Sequence, residues 1–161
     1  MELPIALAIA EPLADRPEWC RHRACRHHSG RMVRRVDAAT SPPRVLVIGL
    51  DPYRVPGPWD PGPVAKAIQE STARFAEQGI GVENCLVGLD GGDDIGAVVT
   101  TALRSRPWEC VVVGGGIRKP EDQLELFEMI VNLVRRHAPD AAIAFNQNPA
   151  DVVDAAARWL P

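Results

Sequence analysis

The residues best suited to chemistry in this sequence stand in "VVVGGGIRKPED", where Gly114, Gly115 and Gly116 follow an apolar run and precede Arg118 and Lys119. Glycine lets backbone N–H groups approach a ligand, and cations near a helix start complement a phosphate or carboxylate. The pattern predicts an anion cradle. The competing reading is a tight turn, because Glu121 and Asp122 already place acids where they satisfy a helix dipole without any ligand. Asp51, Asp90 and Asn146 also close apolar runs. Asp51 and Asn146 are expected to orient a ligand, with Tyr53 beside them. Asp51 and Asp90 are candidate catalytic or magnesium-holding carboxylates, since two neighbouring carboxylates split their pKa values and hold a divalent ion through water. The bland alternative is that each caps its own turn, Asp51 before a proline and Asp90 before Gly-Gly.

A second cluster lies near the start. "CRHRACRHH" gathers Cys20, Cys25, His22, His27 and His28, and thiolate with imidazole satisfies a tetrahedral zinc ion. The spacing argues against it, because structural zinc pairs are usually closer and are followed by a second pair, which this sequence lacks. The candidate metal ligands Cys20, Cys25, His22 and His27 are therefore the weaker reading beside no metal at all.

These groups need elements to position them. Residues 44–50, RVLVIGL, read as a strand, and residues 63–78 as an amphipathic helix with Val64, Ile68, Ser71 and Phe75 on one face. The alternation continues with strands over 82–89, 109–113 and 141–145 and helices over 93–105, 120–137 and 149–159. Strands apolar on both faces and separated by helices imply a parallel sheet covered on each side. The expected fold is a three-layer α/β/α sandwich, Rossmannoid or flavodoxin-like, with a four-stranded parallel sheet in the order 2-1-3-4. Ligands in such sheets bind outside the carboxyl ends of the strands, where successive crossovers diverge. The order puts that switch between strands one and three, with Asp51, Tyr53 and Arg54 opposite the glycines. The loop over residues 51–63 holds five prolines and Trp59, which either stacks on a ligand or pins the loop.

The third helix carries more apolar surface than one sheet face needs. Leu124, Phe127, Ile130, Val131 and Val134 can cover the sheet, which leaves Leu126, Met129 and Leu133 as a second stripe. A neighbouring helix, the arm or a two-fold partner can cover that stripe, and a homodimer through it is expected.

At 161 residues and 17.5 kDa, with 46% hydrophobic and 24% charged residues, the chain suits one soluble domain. Residues 43–161 form that domain. Residues 1–42 are read as a basic arm, disordered or an extended start upstream of Met32, although residues 3–10 could instead add an edge strand. Between residues 16 and 36 stand seven arginines against one glutamate. Without interleaved aromatics beyond Trp19, that run gives little support to nucleic-acid binding. No apolar run is long enough to span a bilayer, and residues 3–10 follow Glu2 in place of the basic region of a secretory signal, so a cytoplasmic protein is expected. Cys85 and Cys110 read as small buried apolar residues. GxxxxGK[ST], GxGxxG after strand one and GxSxG do not occur in the sequence.

Through "VIGLDP", "VVVGGGIR" and "NLVRRHAPDAAIAFN", residues 44–160 resemble a group of small uncharacterised bacterial single-domain proteins of the Rossmannoid, flavodoxin-like type. That resemblance implies the fold and no assigned activity, and it does not cover the arm. The sequence thus points to a small anionic or nucleotide-like ligand at the carboxyl edge of the sheet, with a non-catalytic homodimeric module as the alternative. It specifies neither a reaction nor a cofactor.

Overall fold

β1, Arg44–Leu50, alternates its large side chains between two cores: Val45 and Val47 point to one face, Leu46 and Ile48 to the other. A strand apolar on both sides belongs in the middle of a covered sheet. In the computed structural model, which describes residues 42–160, β1 is central in a four-stranded, all-parallel sheet. The order is β2-β1-β3-β4, as the alternation of elements predicts, with β2 at Gly81–Val87, β3 at Cys110–Val113 and β4 at Ala142–Phe145. The register runs Val45↔Val82 to Leu50↔Val87 on one side and Val45↔Cys110 to Ile48↔Val113 on the other.

Helices cover both faces. α1, Gly62–Glu77, packs on the face of Val45, Cys110 and Val112 together with the last helix, α5, Val152–Ala157. α2, Ile95–Arg104, and α4, Leu124–His137, lie side by side on the face of Leu46, Ile48, Val111 and Val113. This is a three-layer α/β/α arrangement. α1 ends in a Schellman cap: Gly79, at φ 68°, donates to Ala76 O, and Ile80 donates to Phe75 O at 2.9 Å. Asp94 caps α2 by accepting from Ala97 N at 3.0 Å, and Asn148 and Asp151 form a capping box at Pro149–Asp151, ahead of α5.

The bounds of α1 and α2 move by one or two residues, and two other helices depart further from theirs. α4 starts at Leu124 instead of residue 120, because the glycine segment forms a separate four-residue helix, α3, Gly115–Arg118. Pro120 has no N–H with which to extend α3, and its ψ of 134° redirects the chain into a 3-10 turn at Glu121–Gln123. α5 is shorter than predicted at both ends, its first turn being the 3-10 segment Pro149–Asp151. The apolar stripe of α4 finds cover inside the domain: Leu126 and Leu133 pack against the core beside α2. Met129 stays 37% exposed next to Gly96 of α2. Among the described residues no helix is long and apolar enough to cross a membrane. The arm, with Cys20, Cys25, His22 and His27, lies outside the described residues.

Candidate ligand-binding site

The carboxyl ends of β1 and β3 open into a cavity of about 850 Å3. Its position follows from the topology: β1 leads to α1 on one face, β3 leads to α3 and α4 on the other, and a crevice remains where they part. Apolar groups form most of the wall. Val47 and Leu50 come from β1, Leu86 from β2, Val64 and Ile68 from α1, and Val55 and Trp59 from the proline loop. Lys119 and Asp122 are the lining residues that carry charge, and Asn146, Gln147 and Asn148 add polar groups at the rim. A second cleft, of about 330 Å3 beside Trp108 and His137, is smaller and lies away from these strand ends.

The three glycines reach the cavity, yet two are explained by protein backbone. A Cβ on Gly114 would stand 3.2 Å from Ile48 O, and one on Gly115 would stand 2.9 Å from Gln147 O. These residues let the loop after β3 press against β1 and against the loop after β4. Asn146 locks the second contact. Only 5% exposed, it accepts from Gly115 N through Oδ1 at 3.1 Å and donates from Nδ2 to Asn148 O at 2.7 Å. Arg118 joins the same lock, donating from Nη2 to Asn146 O at 3.2 Å with its guanidinium 5.9 Å from the Phe145 ring centre, and it is not part of the cavity wall. Lys119 does line the cavity, with Nζ donating to Gln147 O at 2.6 Å. The glycine segment is therefore a tight turn that also borders the cavity.

Asp51, Tyr53 and Asp90 stand outside the wall. Asp51 Oδ1 accepts from Tyr53 N at 3.0 Å and caps the 3-10 turn Pro52–Arg54, while the Tyr53 ring is 70% exposed. Asp90 belongs to a clamp centred on Arg54. The guanidinium donates to both Asp90 oxygens, from Nε at 3.0 Å and from Nη2 at 2.9 Å, and from Nη1 to Asp93 at 2.8 Å. Arg54 O in turn accepts from Leu89 N at 2.9 Å. The Arg54 guanidinium, then the Gly92 N–H, hold the Asp90 carboxyl below the usual range, which keeps it ionised and unsuited to donate a proton. The Gly88 N–H and Arg54 lower Asp93 likewise. Gly88 and Gly92 make room for this clamp: a Cβ on either would come within 3.0 Å of Arg54, at 2.7 and 2.9 Å. Among the described residues no group of three or more His, Cys, Asp or Glu side chains could hold a metal ion.

Trp59 both pins and borders. Its Nε1 donates to Val55 O at 3.1 Å, and the ring, 39% exposed, forms part of the cavity wall. The apolar wall and the Arg54 clamp are the parts that motif reasoning misses. One signal for the wall was present, the lone glycine in the otherwise branched run RVLVIGL. Comparison with family models and with curated proteins finds no match for this chain.

Proposed function

We propose that the chain binds a small anionic molecule at the carboxyl edge of its parallel sheet, in the crevice between β1 and β3. The position of the cavity carries this reading: it stands at the switch point of the sheet, where open α/β sheets take ligands. Its volume, about 850 Å3, suits a small organic molecule. Lys119 supplies the positive charge at the rim, and the Asn146 side-chain amide and the Gln147 backbone carbonyl hold the loops that frame it. Arg118 serves this site by bracing the loop, a change from the direct contact its sequence position suggests. We read the whole as a Rossmannoid, flavodoxin-like arrangement, in keeping with the resemblance of residues 44–160. The described groups suit recognition, and the reading assigns no reaction.

The test is a thermal-shift screen of the purified chain against nucleotides, sugar phosphates, dicarboxylates and aromatic carboxylates. A ligand that binds only the folded chain, at a hundred times its dissociation constant, adds ~2.7 kcal/mol of stability. One class is expected to raise the melting temperature, and Lys119→Ala is expected to reduce that rise. A flat response to every class would overturn the proposal.

A further inference from the structure

Gly49 is the one residue of β1 without a side chain, and the usual reasons for a glycine inside a strand do not apply to it. It is not at a bulge, since its pairing with Leu86 continues the register without interruption. Its φ is not in the left-handed region, which among the described glycines is confined to Gly57, Gly79 and Gly91. No backbone crowds it: a Cβ there would meet only Leu86 Cδ2, at an ordinary 3.5 Å. What lies over Gly49 is the cavity.

The helix above matches this gap. The inward stripe of α1 runs Val64, Ile68, Ser71, Phe75, but only Ser71 and Phe75 are buried. Val64 and Ile68 face the cavity, so the first turns of α1 roof it. Two polar donors at this inner end already have partners. Ser71 Oγ donates to Ile68 O at 2.8 Å, and Asn84 Nδ2 donates to Thr72 Oγ1 at 3.0 Å. That region therefore offers mainly contact to carbon, through Val47, Val64, Ile68 and Leu86. At the rim, Lys119 enters no ion pair among the described residues.

The geometry points to a flat aromatic ring carrying one carboxylate-type anion as the ligand class, with Gly49 as the residue that selects it. The ring lies over Gly49 beneath α1, and the anion meets Lys119. This rests on the crevice being a ligand site and adds what that site selects. A ring makes contacts of ~3.5–4.0 Å on each face, so it can lie flat against the bare backbone of Gly49, where any side chain would hold it off.

Calorimetry with 2-naphthoate, octanoate and neutral 2-naphthol, on the full chain and on Gly49→Val, Gly49→Ala and Lys119→Gln, tests the inference. 2-Naphthoate is expected to bind about tenfold more tightly than octanoate, and Gly49→Val to weaken it by about tenfold or more at an unreduced melting temperature. Gly49→Ala, whose methyl has room, is expected to give a smaller loss and stands in if the valine variant unfolds. Lys119→Gln is expected to weaken 2-naphthoate and leave 2-naphthol unchanged. Octanoate binding as tightly as 2-naphthoate, binding indifferent to both Gly49 variants, or no binding of 2-naphthoate at millimolar concentration would each overturn the inference. A sugar phosphate whose binding is lost in Gly49→Val would overturn the aromatic class and leave the site standing. Failure of the whole anion panel as well would remove both.

Discussion

Replacing Asn146 by alanine tests whether the loops after β3 and β4 frame the cavity as one unit. The side chain is 5% exposed and makes two hydrogen bonds to backbone, from Gly115 N at 3.1 Å and to Asn148 O at 2.7 Å. Truncation strands the Gly115 N–H, in a residue that is itself buried, and an unsatisfied buried donor costs ~1–3 kcal/mol. The Asn148 carbonyl belongs to an exposed residue and can turn to water, so its loss is nearer the net value of one hydrogen bond, ~1 kcal/mol. Together these give a destabilisation of about 2–4 kcal/mol, or a fall of roughly 10 °C in melting temperature for a domain of this size. Asn146→Asp keeps the acceptor for Gly115 but buries a charge and turns an oxygen on the Asn148 carbonyl, so at neutral pH it should gain little over alanine. Urea denaturation of the three proteins, read from midpoints at unchanged slope, supplies the numbers. An alanine variant within ~0.5 kcal/mol of wild type, the range of an unconstrained surface change, would refute the lock.

Two glycines should respond to alanine with opposite signs. Gly49→Ala adds a methyl whose nearest neighbour, Leu86 Cδ2, stands at an ordinary 3.5 Å, and it relieves the entropy of a strand glycine, for a gain of about 1 kcal/mol. Gly115→Ala drives a Cβ to 2.9 Å from Gln147 O and should cost ~1–3 kcal/mol. Equal effects in the same urea titration would contradict the roles given to them. In the Arg54 clamp, the lowered Asp90 and Asp93 contribute stability that is complete above their unfolded values and lost as pH falls through the lower folded ones. The advantage of wild type over Arg54→Ala should therefore shrink between neutral pH and pH ~3, below the usual carboxylate range. An advantage that grows on acidification would sink the clamp. Burial pushes the Cys110 thiol up to about 11, and burial with the nearby Glu83 and Asp93 charges raises Cys85. With Cys20→Ser and Cys25→Ser in place, iodoacetamide at neutral pH should label neither cysteine in the folded chain and both in urea, because the thiolate is the nucleophile. Rapid labelling of the native protein would place these thiols outside the core.

The strand order was legible because continuous apolar runs separated by amphipathic helices admit few topologies, and β1 was read to the residue. The break between α3 and α4 was not read, although Pro120 announces it, because the acids after the proline look like an ordinary helix first turn. At the carboxyl edge, residue types showed where polar groups gather but not which of them are already engaged. Arg118 looks like an anion ligand in sequence, yet its Nη2 meets Asn146 O, 28 positions away, and its buried Nε has no partner among the described residues. Arg54 and its aspartates are 36 and 39 positions apart, a separation at which no local pattern announces a pair. The three glycines follow β3 directly and Lys119 comes one short helix later, which is why all four border the cavity. The apolar character of the cavity was hidden, since Val64, Ile68 and Leu86 look in sequence like any other core positions.

The measurement closest to the central claim is the movement of backbone amide NMR signals in the isotope-labelled chain, titrated with the screen compound that raises its melting temperature most. Shifts confined to Gly49, Leu50, Trp59, Gly114 to Gly116 and Gln147, around the cavity, are the expected result. Shifts centred on Trp108 and His137, in the smaller cleft, would contradict the account.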